Sequence, residues 1–323
     1  MKRIKIDKFL IQAVKDLNVN LFCDKRLTGG NAFVLPKKKI FELYKKLNCP
    51  FQKSYLFKIY KEYIELLDLK PSDFAQKKQE FDNIFKIDGV KGSVSTLFGK
   101  KVVEALRYED YRDSQYPKIV NDLGWNLKTC FYCNYAGTLT LSKGIKKYKT
   151  FYDLDHILPK STYPFLATSF FNFIPSCAPC NRSKSSKIIN KLNPFYEIGE
   201  NNITLNKIFE ITDVSKVNFY LKNDKEAICI KIASQINQVN RKEFDEVVDL
   251  ELLYNSQKHI AEEILWKKRI YSKAYIKFIR SNFSALHVKR NDINRILWGT
   301  DLNEETVNDE PLAKFKFDLI NDR

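Results

Sequence analysis

CFYCN (130–134), YDLDHILPKS (152–161), SFFNFIPSCAPCN (169–181) and RSKSSK (182–187) decide how this chain is read. Two Cys-x-x-Cys pairs, Cys130/Cys133 and Cys177/Cys180, bracket the dyad Asp155-His156, and Asn181 follows the last cysteine directly. Four thiolates around one ion match tetrahedral structural zinc. Four such ligands leave no open coordination position, so this zinc is not expected to be catalytic. The gap between the pairs is longer than in an ordinary zinc ribbon and suits an ion that closes the base of an inserted hairpin.

The residues between the pairs carry a different chemistry. A carboxylate at Asp155 and an amide oxygen at Asn181 are hard ligands, suited to Mg²⁺ or Mn²⁺ rather than zinc. Asp155 and His156 are adjacent, so on a regular strand their side chains point to opposite faces. Pro179 opens a helix that carries Asn181.

Together these residues resemble the HNH endonuclease motif, the ββα-metal nuclease module. The resemblance covers about 130–190. It implies Asp155 as first metal ligand, His156 as general base, Asn172 as the residue holding the imidazole, and Asn181 as second metal ligand. It implies hydrolysis of nucleic-acid phosphodiesters, DNA favoured, with one Mg²⁺ or Mn²⁺, leaving 5′-phosphate and 3′-hydroxyl ends. Lys160, Arg182, Lys184 and Lys187 surround the motif and are candidate phosphate contacts. The phrase DHILPKSTYPFLATSFFNFIPSCAPCN is also similar to nucleases of bacterial anti-phage systems of the Septu type. There the HNH subunit works beside an ATPase, which makes an ATPase an expected partner. Two readings stand against the DNA nuclease: a zinc-stapled nucleic-acid-binding or adaptor protein with a silent centre, and an RNA-cleaving nuclease of a toxin type.

The bulk properties agree with a polyanionic partner. The chain has 323 residues and a formal net charge of +16, a balance that favours nucleic acid. Seven cysteines, four of them paired by spacing, do not form a disulfide framework and point to a reducing, cytoplasmic setting. No apolar run approaches the ~18 residues of a membrane span.

Outward from the motif, the expected architecture is α+β. A mainly helical region (1–120) leads into the ββα module (121–195), followed by a β-hairpin and a helical C-terminal region (196–323). Helical spacing marks 9–17, 38–47 and 55–69, the last with an apolar stripe of Leu56, Ile59, Tyr60, Tyr63, Leu66 and Leu67. Gly29-Gly30 reads as a turn. Ser72 and Ser95 are candidate helix caps. The aromatic residues of the N-terminal region are assigned to the core rather than to base-stacking platforms. Segments 138–142 and 148–154 alternate as strands; 217–222 and 227–232 read as a hairpin carrying a buried Cys229. His259 and His287 are assigned surface roles, and 301–311, acidic against a basic chain, reads as a solvated loop, with a docking strip as the alternative.

Overall fold

The computed structural model describes residues 4, 6–18, 35–87, 90–91, 94–122, 128–144, 148–188, 208–232, 247–285 and 289–322. Gly29-Gly30 and His287 lie outside the described residues. The chain is of mixed helical and strand content, compatible with α+β. It divides into two compact units, drawn differently from the three sequence segments. One comprises Ile4–Asn126 and Leu139–Asn201, the other Met1–Arg3, Leu127–Thr138 and Asn202–Arg323.

The first unit opens with α1 (Lys8–Asn18), α2 (Pro36–Lys46), α3 (Pro50–Leu67) and α4 (Phe74–Asp82). Both α2 and α3 start on proline, where the missing N–H would have had no helical partner. α3 buries Leu56, Ile59, Tyr63, Leu66 and Leu67, as its spacing predicts, but not Tyr60, which is 38% exposed. After a short hairpin, β1 (Lys86–Ile87) with β2 (Val90–Lys91), comes α5 (Thr96–Ala105). Ser95 caps α5, its hydroxyl accepting from the Phe98 N–H at 3.3 Å. Ser72 does not cap α4: its hydroxyl donates to the Asp73 carboxylate instead. A helical stretch follows, α6 (Tyr108–Asp110), a π turn over Tyr111–Gln115, and α7 (Tyr116–Asp122).

The same unit then forms two antiparallel strand pairs. β3 (Thr140–Ser142) pairs β4 (Tyr148–Thr150). β5 (Asp153–His156) pairs β6 (Phe173–Ser176), with Asp155 opposite Ile174 and His156 opposite Phe173. α8 (Ala178–Lys184) follows β6 directly. The second half of the long excursion between β5 and β6, residues 163–172, is buried, because aromatic residues of the N-terminal helices hold it. Phe165 stacks on Phe81 of α4 with ring centroids 3.9 Å apart, and meets Tyr55 of α3 edge-on at 6.4 Å. Such pairs contribute beyond their buried area.

The second unit is built around Phe209, Tyr254 and Phe315, whose rings lie 4.1 to 5.4 Å apart. β7 (Phe209–Ile211) and β8 (Ile230–Ile232) pair antiparallel, with α9 (Asp213–Lys222) between them. The hairpin expected from 217–222 and 227–232 is therefore not formed. Residues 217–222 are helical because the Thr212 hydroxyl accepts from the Ser215 N–H and caps α9, and Asn223 ends it in a left-handed conformation. Cys229 is half-buried just before β8. α10 (Leu250–Asn255), α11 (Lys258–Ile270), α12 (Lys273–Ala285), α13 (Arg290–Trp298) and α14 (Ala313–Asn321) complete the unit. His259 is exposed on α11, as assigned.

Of the two readings of the acidic strip, its contacts match the docking strip, although most of its residues stay partly exposed. Val307 is 1% exposed, and the carbonyls of Val307 and Asn308 accept bonds from Asn134 and Thr129. Asn134 is the hub of this contact. Its φ of 52° is one that asparagine tolerates better than most residues. Its side chain also donates to Thr129 and accepts from the Lys314 N–H, and its carbonyl accepts from the Leu312 N–H at 2.7 Å.

Asn134→Ala leaves the Lys314 N–H and the Val307 carbonyl buried without this partner, at about 1–3 kcal/mol for each group. The expected outcome is a loss of about 2–6 kcal/mol in urea unfolding. A loss below about 0.5 kcal/mol would contradict the role given to Asn134.

Candidate active site

Two sites are built around the central stretch. The first is thiolate. The ligand atoms of Cys130, Cys133, Cys177 and Cys180 all lie within 4.8 Å of one another. Four sulfurs at about 2.3 Å from one tetrahedral zinc stand ~3.8 Å apart, so the cluster fits such an ion. The local backbone is built for it. The Cys130 N–H donates to the Ala136 carbonyl at 2.9 Å, folding 130–136 into a tight turn. The Tyr135 N–H points at the Cys133 sulfur at 3.4 Å, a contact that favours the thiolate. Tyr254 Oη donates to the Cys133 carbonyl at 2.6 Å and fixes that side of the turn. On the other pair, Cys177 precedes α8 and its carbonyl accepts the first helical bond, from the Asn181 N–H. The four cysteines thus form a cluster that could hold a metal ion.

The second site is polar and lies on β5, its loop and α8. His156 is 5% exposed. Its ring lies between Tyr108 and Phe173, with centroids 5.0 and 4.9 Å away. Nε2 lies 3.2 Å from the Ala167 carbonyl. A carbonyl has no proton to give, so Nε2 carries the hydrogen and Nδ1 keeps the lone pair. Burial lowers the proton affinity of the ring to about 3; Lys160 pushes it the same way, the Ala167 bond opposes it, and Lys184 adds to the lowering. The imidazole is neutral at neutral pH, and with so low a proton affinity it is a weaker base than a solvated imidazole.

Asn172 does not touch the imidazole with the hydrogen bonds its side chain makes. Its amide accepts from the Leu158 N–H at 2.8 Å and donates to the Leu158 and Leu166 carbonyls. It therefore clamps the two ends of the loop, and Ala167, next to Leu166, presents the carbonyl that orients His156. None of these bonds reaches the imidazole, so the direct hold expected of Asn172 is not formed.

Asp155 is 5% exposed, and its carboxylate is bonded by the Lys184 ammonium at 3.0 and 3.2 Å. The same ammonium donates to the His156 carbonyl at 2.7 Å. Lys184 is 1% exposed, so it is not the surface phosphate contact expected of it. Asn181 donates to Asp153 Oδ2 at 3.1 Å, not to Asp155. The pair expected to hold Mg²⁺ or Mn²⁺ is thus engaged by two different partners, and the cation on Asp155 is an ammonium. That donor set does not assemble here as a two-ligand site for a divalent ion.

Of the other candidates, Lys160 is half-buried over the Tyr108 ring at 3.9 Å. Burial lowers its proton affinity, and Arg112 adds to the effect. Arg182 and Lys187 are exposed on and just after α8. Sequence reasoning missed Asp153, Tyr108 and Ala167. Asp153 had a signal, since it shares a strand face with Asp155 two residues on. Ala167 acts through its backbone and leaves no signal in residue type.

No family model, no curated protein and no solved structure matches the chain. Among the described residues no helix is long and apolar enough to cross a membrane.

Two measurements test the sites. Cys130→Ser should lower bound zinc from about one ion per chain and lower the melting temperature, because metal binding to such sites is coupled to folding. Undiminished zinc by elemental analysis would contradict the thiolate site. For His156, the folded proton affinity of about 3 lies below the unfolded value of about 6.5. Stability due to the neutral ring is complete above pH ~6.5 and is lost as pH falls toward 3. Between pH 7 and 4.5 the wild type should lose urea stability more steeply than His156→Gln, by up to about 1.4 kcal/mol per pH unit. Parallel pH profiles would show that the ring titrates normally.

Proposed function

We propose that the chain is a nucleic-acid phosphodiester hydrolase of the HNH kind, with DNA the favoured substrate. The observation that carries this reading is the placement of His156 at the end of β5 in a strand–strand–helix unit, β5, β6 and α8. The Nε2 proton of His156 is held by Ala167, and two lysines, Lys160 and Lys184, lie close enough to depress its proton affinity.

The reaction follows from the groups present. Nδ1 of His156 takes a proton from water as the water oxygen attacks phosphorus. The bond from phosphorus to the 3′-oxygen breaks, and the leaving oxygen takes up a proton. The products carry 5′-phosphate and 3′-hydroxyl. Negative charge on the phosphate is met by Lys160 and, at the surface, by Arg182 and Lys187. Tyr108 and Phe173 hold the ring plane, and Asn172 holds the loop that bonds it. Zinc on the four cysteines is structural in this reading.

The motif's likeness to defence nucleases extends the proposal to anti-phage activity in the cytoplasm, beside an ATPase partner. A second reading has a specific observation behind it. Asp155 is paired with Lys184 and Asn181 is turned to Asp153, which supports a silent centre in a zinc-stapled nucleic-acid-binding or adaptor protein.

The test is cleavage of plasmid DNA, single-stranded DNA and RNA, with and without added Mg²⁺, beside His156→Ala of equal zinc content. Cleavage by the wild type that falls at least 100-fold in the variant is the expected result. Equal cleavage by both would end the mechanism, and none by either would favour the silent reading. Preference for RNA would move the substrate to the toxin-type alternative.

A further inference from the structure

The outer face of α2 and α3, far along the chain from the motif, carries a set of residues that the nuclease reading does not use. Phe41, Phe57 and Tyr60 are 45%, 59% and 38% exposed. They line a shallow groove with Ile40, Tyr44 and Leu56. The Phe41 and Tyr44 rings are parallel to within 4°, with centroids 6.3 Å apart, and Tyr60 lies 6.0 Å from Phe41. Large exposed aromatic groups on a folded surface lose favourable burial and call for a partner.

Three cations frame these rings. Lys45 Nζ lies 4.5 Å from the Phe41 ring centre, Lys37 Nζ 4.7 Å from Tyr60, and Lys53 Nζ 5.4 Å from Tyr44. Among the described residues none of the three forms an ion pair with a carboxylate, whereas Lys58 and Lys77 of the same helical region pair with Glu62, Glu65 and Glu80. The acids of α3 are therefore spent on another face. α2 itself carries five lysines against one glutamate.

We propose that this face binds single-stranded nucleic acid. Bases stack on the rings of Phe41, Phe57 and Tyr60, and Lys37, Lys45 and Lys53 contact the phosphates between them. The chemistry selects that occupant. Every base offers a π face, and stacking on aromatic side chains beside a cationic track is the common mode of strand binding. A duplex hides its base faces, so it can use the lysines but not the rings. A protein partner would gain from the rings but has no general need for three cations unpaired with any acid. The chain's net charge of +16 acts in the same direction. The binding does not depend on whether the centre at His156 cuts.

The experiment is fluorescence anisotropy with a 15-nucleotide oligo-dT and a 15-base-pair duplex, in a His156→Ala background so that cleavage plays no part. Phe41→Ala with Tyr60→Ala should weaken oligo-dT binding by roughly tenfold or more while changing duplex binding by less than about twofold. Phe41→Tyr with Tyr60→Phe should keep the affinity, which separates ring loss from misfolding. Lys37→Gln with Lys45→Gln should flatten the salt dependence on oligo-dT by about 1.4 in log–log slope, at ~0.7 per phosphate contact. Unchanged oligo-dT affinity in the alanine variant would overturn the proposal. So would equal loss on both ligands, or equal loss in the aromatic-preserving variant.

Discussion

One buried ion pair sets the geometry of the central site: Lys184 against Asp155, at 1% and 6% side-chain exposure. Burying two charges costs several kcal/mol each, and their attraction alone need not repay it. Here the ammonium has a third oxygen, the His156 carbonyl, so its donors are used on the strand that carries the catalytic candidates. The pair is therefore better understood as a device of orientation than of stability. It fixes the rotation of α8 about its axis against β5. Asn181, three residues earlier and on the same side of the helix, is thereby brought to Asp153. Removing either partner would leave an uncompensated charge in the interior, a change worth about 3–5 kcal/mol.

The imidazole is positioned by a different means. Its direct contacts are a carbonyl and two aromatic rings, with the ammonium groups of Lys160 and Lys184 close by. The carbonyl belongs to a loop with little regular structure, so its place depends on what clamps that loop. Asn172 does so from within, by three hydrogen bonds to Leu158 and Leu166. Phe165 does so from outside, through Phe81 and Tyr55 on the N-terminal helices. Those helices are part of the scaffold of the site, in the same compact unit. A polar centre set in aromatic packing is held in one conformation by shape, and the low local polarity keeps the ring uncharged.

The residue types and their order made the cysteine cluster, the dyad and the strand–strand–helix sequence legible. Each rests on spacing, and spacing survives translation into three dimensions. What spacing could not give was the choice among partners. Asp155, Lys184, Asn181 and Asp153 offer two carboxylates, an ammonium and an amide on facing elements. Sequence alone admits Asp155 with Asn181 as readily as Asp155 with Lys184. Burial decides, because a lysine carried into the interior by its helix must take the nearest carboxylate. Similarly, 217–222 alternates well enough for a strand. The cap at Thr212 and the left-handed Asn223 override that pattern from outside it.

The aromatic residues of α3 show the same limit at the level of faces. Tyr55, Phe57, Tyr60 and Tyr63 are close in sequence and alike in chemistry, and a general burial tendency assigns them all inward. Tyr55 and Tyr63 are buried, while Phe57 and Tyr60 face outward. The distinction is one of angle. Positions 56, 59, 63, 66 and 67 form one stripe at helical period, and 53, 57, 60 and 64 form another on a different side. Lys53 belongs to the second stripe and Glu62 does not. Two features of that stripe, the absence of acids and the presence of a lysine, were therefore readable as soon as the helix was divided by angle rather than by residue class. A helix that is apolar on two sides has one core to fill and one surface left over. The charge of the residues interleaved on the second side, here lysine, is what distinguishes a surface suited to a polyanion from one suited to a neutral partner.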